Sequence, residues 1–247
     1  MTVYLPDMQT QDVQFPSQDG TLIKAYYARP VASGRYPGVI VIMEAFGLND
    51  HIKDIAERFA ENGYLALAPD MYTREGSPDP HNMDAVLKTM FAVPDAQAMA
   101  DLNGAIAYLK GQAAANGKVG AIGFCSGGRY AFMLACNSHN LDAAVKSAGG
   151  FLIQAEHTVQ RPVSPIEMIP NLSCPLLGLI GEEDANPSPD HAARVKAELD
   201  KHGKTYAFVM YRNAGHAFFA DYRPSYRARA AQDMWHRVMV FYDTYLR

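Results

Sequence analysis

The chain has 247 residues, 49% of them hydrophobic and 19% charged, with a formal net charge of -4. That is enough apolar material for one sizeable core, and the whole of 1–247 is expected to form a single domain. The mild acidity and the lack of a Lys/Arg-rich run leave nothing to grip a nucleic acid or an anionic membrane surface.

The three cysteines, Cys125, Cys136 and Cys174, are odd in number and fit neither a disulfide framework nor a zinc pattern, which points to a reducing compartment. The N-terminus has no basic stretch followed by an apolar one, so no signal peptide is expected and a cytoplasmic location follows. No apolar run is long enough to span a bilayer.

Elements follow in alternation. Thr21 to Arg29 reads as a strand, and Gly38 to Met43 as a β-branched strand buried on both faces. Asp50 to Asn62 places Ile52, Ile55, Ala56, Phe59 and Ala60 on one helical stripe, with a cap at Asn49 or Asp50 and a stop at Gly63. Tyr64 to Ala68 is a short strand. Met83 to Phe91 and Pro94 to Lys110 are helices. Val119 to Phe124 is a buried strand that runs directly into a small-residue helix, Gly127 to Cys136. Ala143 to Ala148 and Leu176 to Gly181 are strands. Phe151 to Pro170 is ambiguous, and its second half, interrupted by Pro162, Pro165 and Pro170, reads as loop. A helix over Pro189 to His202, a strand over Thr205 to Tyr211 and a closing helix over Ser225 to Leu246 complete the chain. Repeated βα units predict an α/β fold with a mostly parallel sheet covered on both faces.

Chemistry concentrates at Gly123-Phe124-Cys125-Ser126-Gly127-Gly128. A nucleophile on a sharp strand-to-helix turn needs small residues two positions either side, because strand and helix crowd each other there. Gly123 and Gly127 meet that need, and Cys125 stands where the G-x-S-x-G pattern has serine. The helix N-terminus beneath it offers free N–H groups and a positive dipole end, both of which favour an anion. Ser126 is a rival nucleophile, one residue off the apex. Cys136 and Cys174 lack such flanks and read as small core hydrophobes.

A thiol nucleophile needs a base, and the base needs an orienting group. Of eight histidines, His216 has the fitting context, a small-residue turn after the last strand. His51, His191, His202 and His236 lie on helices without it. In the α/β-hydrolase fold the chain order is nucleophile, acid, histidine, with the acid after a later strand. Asp184 fits that order, with Glu182 and Glu183 as adjacent competitors. One oxyanion donor is expected at the backbone N–H of Ser126, the other in the loop Met43 to Asn49. Glu44 in that loop is expected near Cys125, where it would tune the thiol proton. No metal-ligand or nucleotide motif occurs, so no metal and no cofactor are expected.

Taken together, Glu44 with Phe46-Gly47-Leu48-Asn49, Pro69-Asp70-Met71-Tyr72, the Cys125 turn, Gly181-Glu182-Glu183-Asp184 and Gly215-His216-Ala217-Phe218 resemble the dienelactone hydrolase family. The resemblance runs over nearly the whole chain. It implies an α/β-hydrolase fold and a triad of Cys125, His216 and Asp184, with Glu44 assisting the thiol. It also implies oxyanion donors at Ala45 and Ser126 and hydrolysis of enol-lactones such as dienelactone. Relatives acting on that lactone hold its carboxylate with arginines, one a few residues after the catalytic histidine. Here that place reads Ala217-Phe218-Phe219-Ala220, and Arg223 arrives later. Gly76 to Asn82 has no arginine, and Arg74 is the nearest. Phe46, Tyr72, Arg74, Phe218 and Arg223 are the candidate substrate contacts. The expected partner is a small ester or lactone, and the expected assembly a monomer or homodimer. The alternatives are a broad carboxylesterase or thioesterase of the same fold, or a ligand-binding protein without catalysis.

Overall fold

The computed structural model describes residues 7–247, so the reading of the extreme N-terminus at 1–6 lies outside the described residues. One eight-stranded sheet runs through the molecule in the order β1-β2-β4-β3-β5-β6-β7-β8. Its strands are β1 (Met8–Pro16), β2 (Leu22–Pro30), β3 (Tyr36–Ile42), β4 (Leu65–Pro69), β5 (Ala115–Phe124), β6 (Ala143–Ser147), β7 (Leu176–Gly181) and β8 (Tyr206–Tyr211). From β4 across to β8 all neighbours are parallel. Only β2 joins antiparallel to β4, and β1 to β2.

The helices are α1 (Asp50–Glu61), α2 (Met83–Ala92), α3 (Asp95–Lys110), α4 (Ser126–Asn137), α5 (Pro189–Lys201) and α6 (Ala228–Leu246). Two glycines show how both faces of the sheet are covered. A Cβ on Gly38 of β3 would meet Leu109 of α3 at 3.1 Å. Val39, the next residue, points to the opposite face and pairs with Gly120 of β5. A Cβ on Gly120 would meet Tyr242 and Leu246 of α6 within 3 Å. So α3 and α6 lie on opposite faces. Helix α1 shares the α6 side, where Phe59 packs against Trp235 and Tyr242.

The central strands β3, β4, β6 and β7 and the second half of β5 are mostly apolar and almost wholly buried, as a doubly covered parallel sheet requires. In α1 the buried residues are Ile52, Ile55, Ala56, Phe59 and Ala60, and Asn49 caps the first turn by accepting from the Ile52 N–H. Two segments differ from the sequence reading. Residues Met8–Pro16 form β1, an edge strand whose side chains are mostly exposed and polar, so no alternation marks it. Pro165–Asn171, read as loop, is a 3-10 helix: Pro165 sits in its first turn, where a missing N–H costs nothing.

Candidate active site

The site forms at the carboxyl ends of β3, β5, β7 and β8, where loops of an open parallel sheet converge. Cys125 is the single residue between β5 and α4, and its backbone lies at φ 54°, ψ -118°, in the left-handed half of conformational space. A non-glycine residue held there is strained, and the surroundings must enforce it. They do so by contact. A Cβ on Gly123 would stand 1.9 Å from the carbonyl oxygen of Gly127, and one on Gly127 would stand 2.3 Å from that of Ile42. The Cys125 N–H is fixed by the Ser147 carbonyl at the end of β6, at 3.1 Å.

Cys125 is partly exposed, whereas Cys136 and Cys174 are buried, and burial pushes both of their thiols up to about 12. Those two thiols stay protonated and inert. Ser126 opens α4 and is largely buried.

His216 stands in the turn after β8, and its Nδ1 lies 2.9 Å from Oδ2 of Asp184, in the turn after β7. The two turns are tied together by backbone: Glu183 N–H donates to Ala214 O, and Glu182 N–H to Tyr211 O, each at 2.9 Å. A side chain at Gly181 would strike the Ala214 carbonyl, so glycine permits this approach. The other oxygen of Asp184 accepts from the Asn186 N–H at 2.9 Å. Asp184 is buried, while the neighbouring Glu182 and Glu183 are exposed. Burial alone would push the His216 imidazole down. The Asp184 carboxylate and the Cys125 thiol outweigh it and raise His216 from 6.5 to about 10.

Cys125, Ser126, Ala45, Asp184 and His216 line one cavity of about 460 Å³. Among the described residues, neither the Ala45 nor the Ser126 N–H has a protein acceptor. The cavity wall is mostly apolar, supplied by Phe46, by Phe151 and by Met83, Val86, Leu87 and Met90 of α2. The role of α2 was not apparent from sequence. Its helical pattern was legible, but only the tertiary contact of Val86 and Met90 with Ala45 and Phe46 turns it towards the cavity.

The remaining candidates separate. Phe46 and Arg223 line the cavity, Arg223 with its guanidinium 5.1 Å from the Phe46 ring. Three others, expected at the substrate, do not line it. Arg74 is consumed by ion pairs with Asp101 (2.6 Å) and Asp19 (2.9 Å). Phe218 is buried in the core against Tyr211. Tyr72 is buried behind the Ala45 loop, and its hydroxyl donates to the Ala45 carbonyl at 3.0 Å. Glu44 is buried too, but no hydrogen bond joins it to Cys125. Tyr222 donates to Glu44 Oε2 at 3.0 Å, and Arg223 lies 3.6 Å from Oε1. His51 completes this cluster, its ring 5.2 Å from Tyr222. Burial pushes its pKa down, against the opposing pull of Glu44 and Asp221. Neither Tyr222 nor His51 carried a sequence signal for this place.

A hollow of about 600 Å³ near Asp12, Lys24 and Asp70 has neither cysteine nor histidine in its lining. Among the described residues, no three His, Cys, Asp or Glu side chains are grouped to hold a metal ion. Nor is any helix there long and apolar enough to cross a membrane.

Comparison with known proteins bears on what this cavity serves. The model of the dienelactone hydrolase family matches residues 23–246. The chain belongs to the dienelactone hydrolase family. It is a carboxylic ester hydrolase of the α/β-hydrolase fold. A Methylorubrum extorquens member, named "Putative carboxymethylenebutenolidase", is 40% identical over 95% of this chain and 80% of its own. A Synechocystis member of the same name is 35% identical over 98% of this chain and 99% of its own. Among solved structures, the "Putative Dienelactone Hydrolase" of Klebsiella pneumoniae superposes with a TM-score of 0.90 at 35% identity. It covers 97% of this chain and 100% of that one. The dienelactone hydrolase-like promiscuous phosphotriesterase P91 from metagenomic libraries superposes at 0.81 with 25% identity, over 97% and 99% of the two chains. Among the described residues, Arg223 is the one arginine lining this cavity, and Glu44, 3.6 Å away, partly neutralises it.

Proposed function

We propose that the protein hydrolyses a carboxylic ester or enol-lactone of the dienelactone type through a thioester on Cys125. The thiol proton passes to His216, and the sulfur attacks the carbonyl carbon. The resulting oxyanion is held by the Ala45 and Ser126 N–H groups, which carry no competing acceptor. His216 gives its proton to the departing alkoxide or enolate oxygen, leaving the acyl group on sulfur. A water then loses its proton to His216 and attacks the thioester, and the thiolate leaves and regains a proton. Asp184 keeps the imidazole in one orientation and stabilises its charged form. Glu44 acts on the loop carrying Ala45 and on Arg223, since its carboxylate is already engaged there.

The observation that carries this reading is the strained Cys125 backbone at the mouth of the cavity that also exposes His216, itself 2.9 Å from Asp184. The test is Cys125→Ala. It should abolish ester hydrolysis, and mass spectrometry of the unaltered enzyme quenched during turnover should find an acyl adduct on Cys125. Retained activity of C125A on every active ester tried would refute the mechanism.

The apolar lining favours a second reading of the same chemistry, a broad esterase or thioesterase with no lactone preference. Rates on lactones, acetyl esters and acyl thioesters side by side separate the two.

A further inference from the structure

Beyond the catalytic cavity lies a second groove of about 580 Å³, lined by Phe91, Phe151, Ile153, Gln154, Thr158 and Arg161. The two spaces share Phe151 and Asn186. Between them the rings of Phe91 and Phe151 meet edge to face, with centroids 5.6 Å apart. Both rings are about two-fifths exposed, at 42% and 39%, which is unusual for phenylalanines so close to a core.

Arg161 lies under this pair. Its guanidinium carbon is 4.4 Å from the Phe91 centroid and 5.9 Å from that of Phe151. The residue is only 6% exposed, yet among the described residues no carboxylate pairs with it. Its Nη2 donates to the Met90 carbonyl at 3.1 Å, while its Nε and the neighbouring Tyr130 hydroxyl are buried without a well-formed hydrogen bond, in partial contact with one another at most. The nearest buried carboxylate, Asp95, is already held by both terminal nitrogens of Arg129, at 2.5 and 2.9 Å. Both oxygens of Asp95 are thus taken by Arg129, and Arg161 is left without a carboxylate of its own. A buried cation without a counter-ion is costly, and so is a buried donor without an acceptor. An anionic oxygen entering the groove beside the guanidinium would supply the missing counter-ion. Glu156 is an exposed carboxylate on the groove lining and would oppose such an anion weakly through solvent.

We infer that the groove is an acyl-arm subsite ending in an anion hole at Arg161. The substrate class is then an ester whose apolar arm passes Phe91 and Phe151 and ends in a carboxylate or similar anion. This rests on the ester-hydrolase reading of Cys125 and adds to it the length and terminal charge of the substrate. The aromatic pair accepts the apolar middle of the arm, and Arg161 accepts its end. Arg223, inside the catalytic cavity, is placed for an anion close to the carbonyl, so arm length tells the two arginines apart.

The test compares p-nitrophenyl monoesters of succinate, adipate and suberate with the neutral p-nitrophenyl butanoate, hexanoate and octanoate, in the wild-type enzyme and in Arg161→Gln. Glutamine keeps a donor for the Met90 carbonyl and removes the charge. In the wild type, kcat/KM should favour the anion over its neutral partner by about tenfold for the longer arms and much less for succinate. In R161Q that advantage should vanish, with the neutral esters unchanged. Equal rates for charged and neutral long esters in the wild type overturn the inference, and they decide it even if R161Q does not fold. An equal loss on both series in a folded R161Q overturns it too. No turnover of any of the six esters refutes the hydrolase reading itself, and the subsite with it.

Discussion

Glu44 and Tyr222 lie 178 residues apart in sequence and share a hydrogen bond of 3.0 Å, from the phenol to the buried carboxylate. The bond joins the loop after β3 to the segment that follows His216, so two walls of the candidate site's cavity are tied through one carboxylate. Burial and the Glu44 charge raise the Tyr222 phenol from 10.0 to about 12. The folded protein holds this proton more tightly than the unfolded chain, so the contribution is present below pH 10 and is lost as pH rises towards 12. Tyr222→Phe should cost about 1–2 kcal/mol at neutral pH, because it leaves a buried carboxylate short of one donor. Urea unfolding of both proteins measures the loss, which should shrink above pH 10.

Asp184→Asn tests the electrostatics around His216. With Asp184 and Cys125 outweighing burial, His216 titrates near 10 rather than 6.5. Its contribution to stability is therefore complete below about 6.5 and declines as pH rises to about 10. Replacing the carboxylate should shift the imidazole titration, followed by NMR, downward and flatten that decline. The same variant should lower kcat/KM by about 10²–10⁴, the range for disabling a positioned acid–base group. An unmoved titration would mean that Asp184 is not what holds the proton on His216.

How far the sequence carried these conclusions differs from element to element. The α1 stripe was fully legible because five apolar residues repeat at helical spacing and all five are buried. The Cys125 turn was legible because crowding leaves a chemical mark, glycine at 123 and 127. β1 left none: Gln9, Thr10, Gln11, Asp12 and Gln14 sit on an edge, and only Phe15 is fully buried. Arg74 and Arg223 were indistinguishable as candidates. Which one meets the cavity depends on Asp101 and Asp19 capturing the first, and no local pattern encodes such long-range pairing. Glu44 was correctly placed in the loop after β3, but its partners Tyr222 and Arg223 come from the far end of the chain.

Gly123→Ala probes the elbow itself. The added methyl would sit 1.9 Å from the Gly127 carbonyl oxygen, a backbone atom that cannot swing aside. Either β5 and α4 separate or Cys125 leaves its left-handed conformation. The expected loss is about 3 kcal/mol or more, together with loss of ester hydrolysis. Gly76→Ala is the comparison: its Cβ would meet nothing within 4 Å, and only its φ of 80° resists the change, at about 1–2 kcal/mol. Calorimetry on the pair should rank G123A well below G76A.

Tyr72→Phe separates a substrate contact from a support. The Tyr72 hydroxyl is buried and donates to the carbonyl of Ala45, whose own N–H is the proposed oxyanion donor. Removing the hydroxyl leaves that carbonyl short of a partner and frees the peptide at one end, at a cost of about 1 kcal/mol in stability. A donor that strays from the developing charge harms the transition state more than the bound substrate. The variant should therefore lose about tenfold in kcat with KM nearly unchanged, and equally on short and long esters. A residue that touched substrate would instead raise KM and discriminate among ester arms. Steady-state kinetics on p-nitrophenyl acetate and octanoate distinguish the two patterns, and a KM effect confined to octanoate would return Tyr72 to the substrate-binding wall.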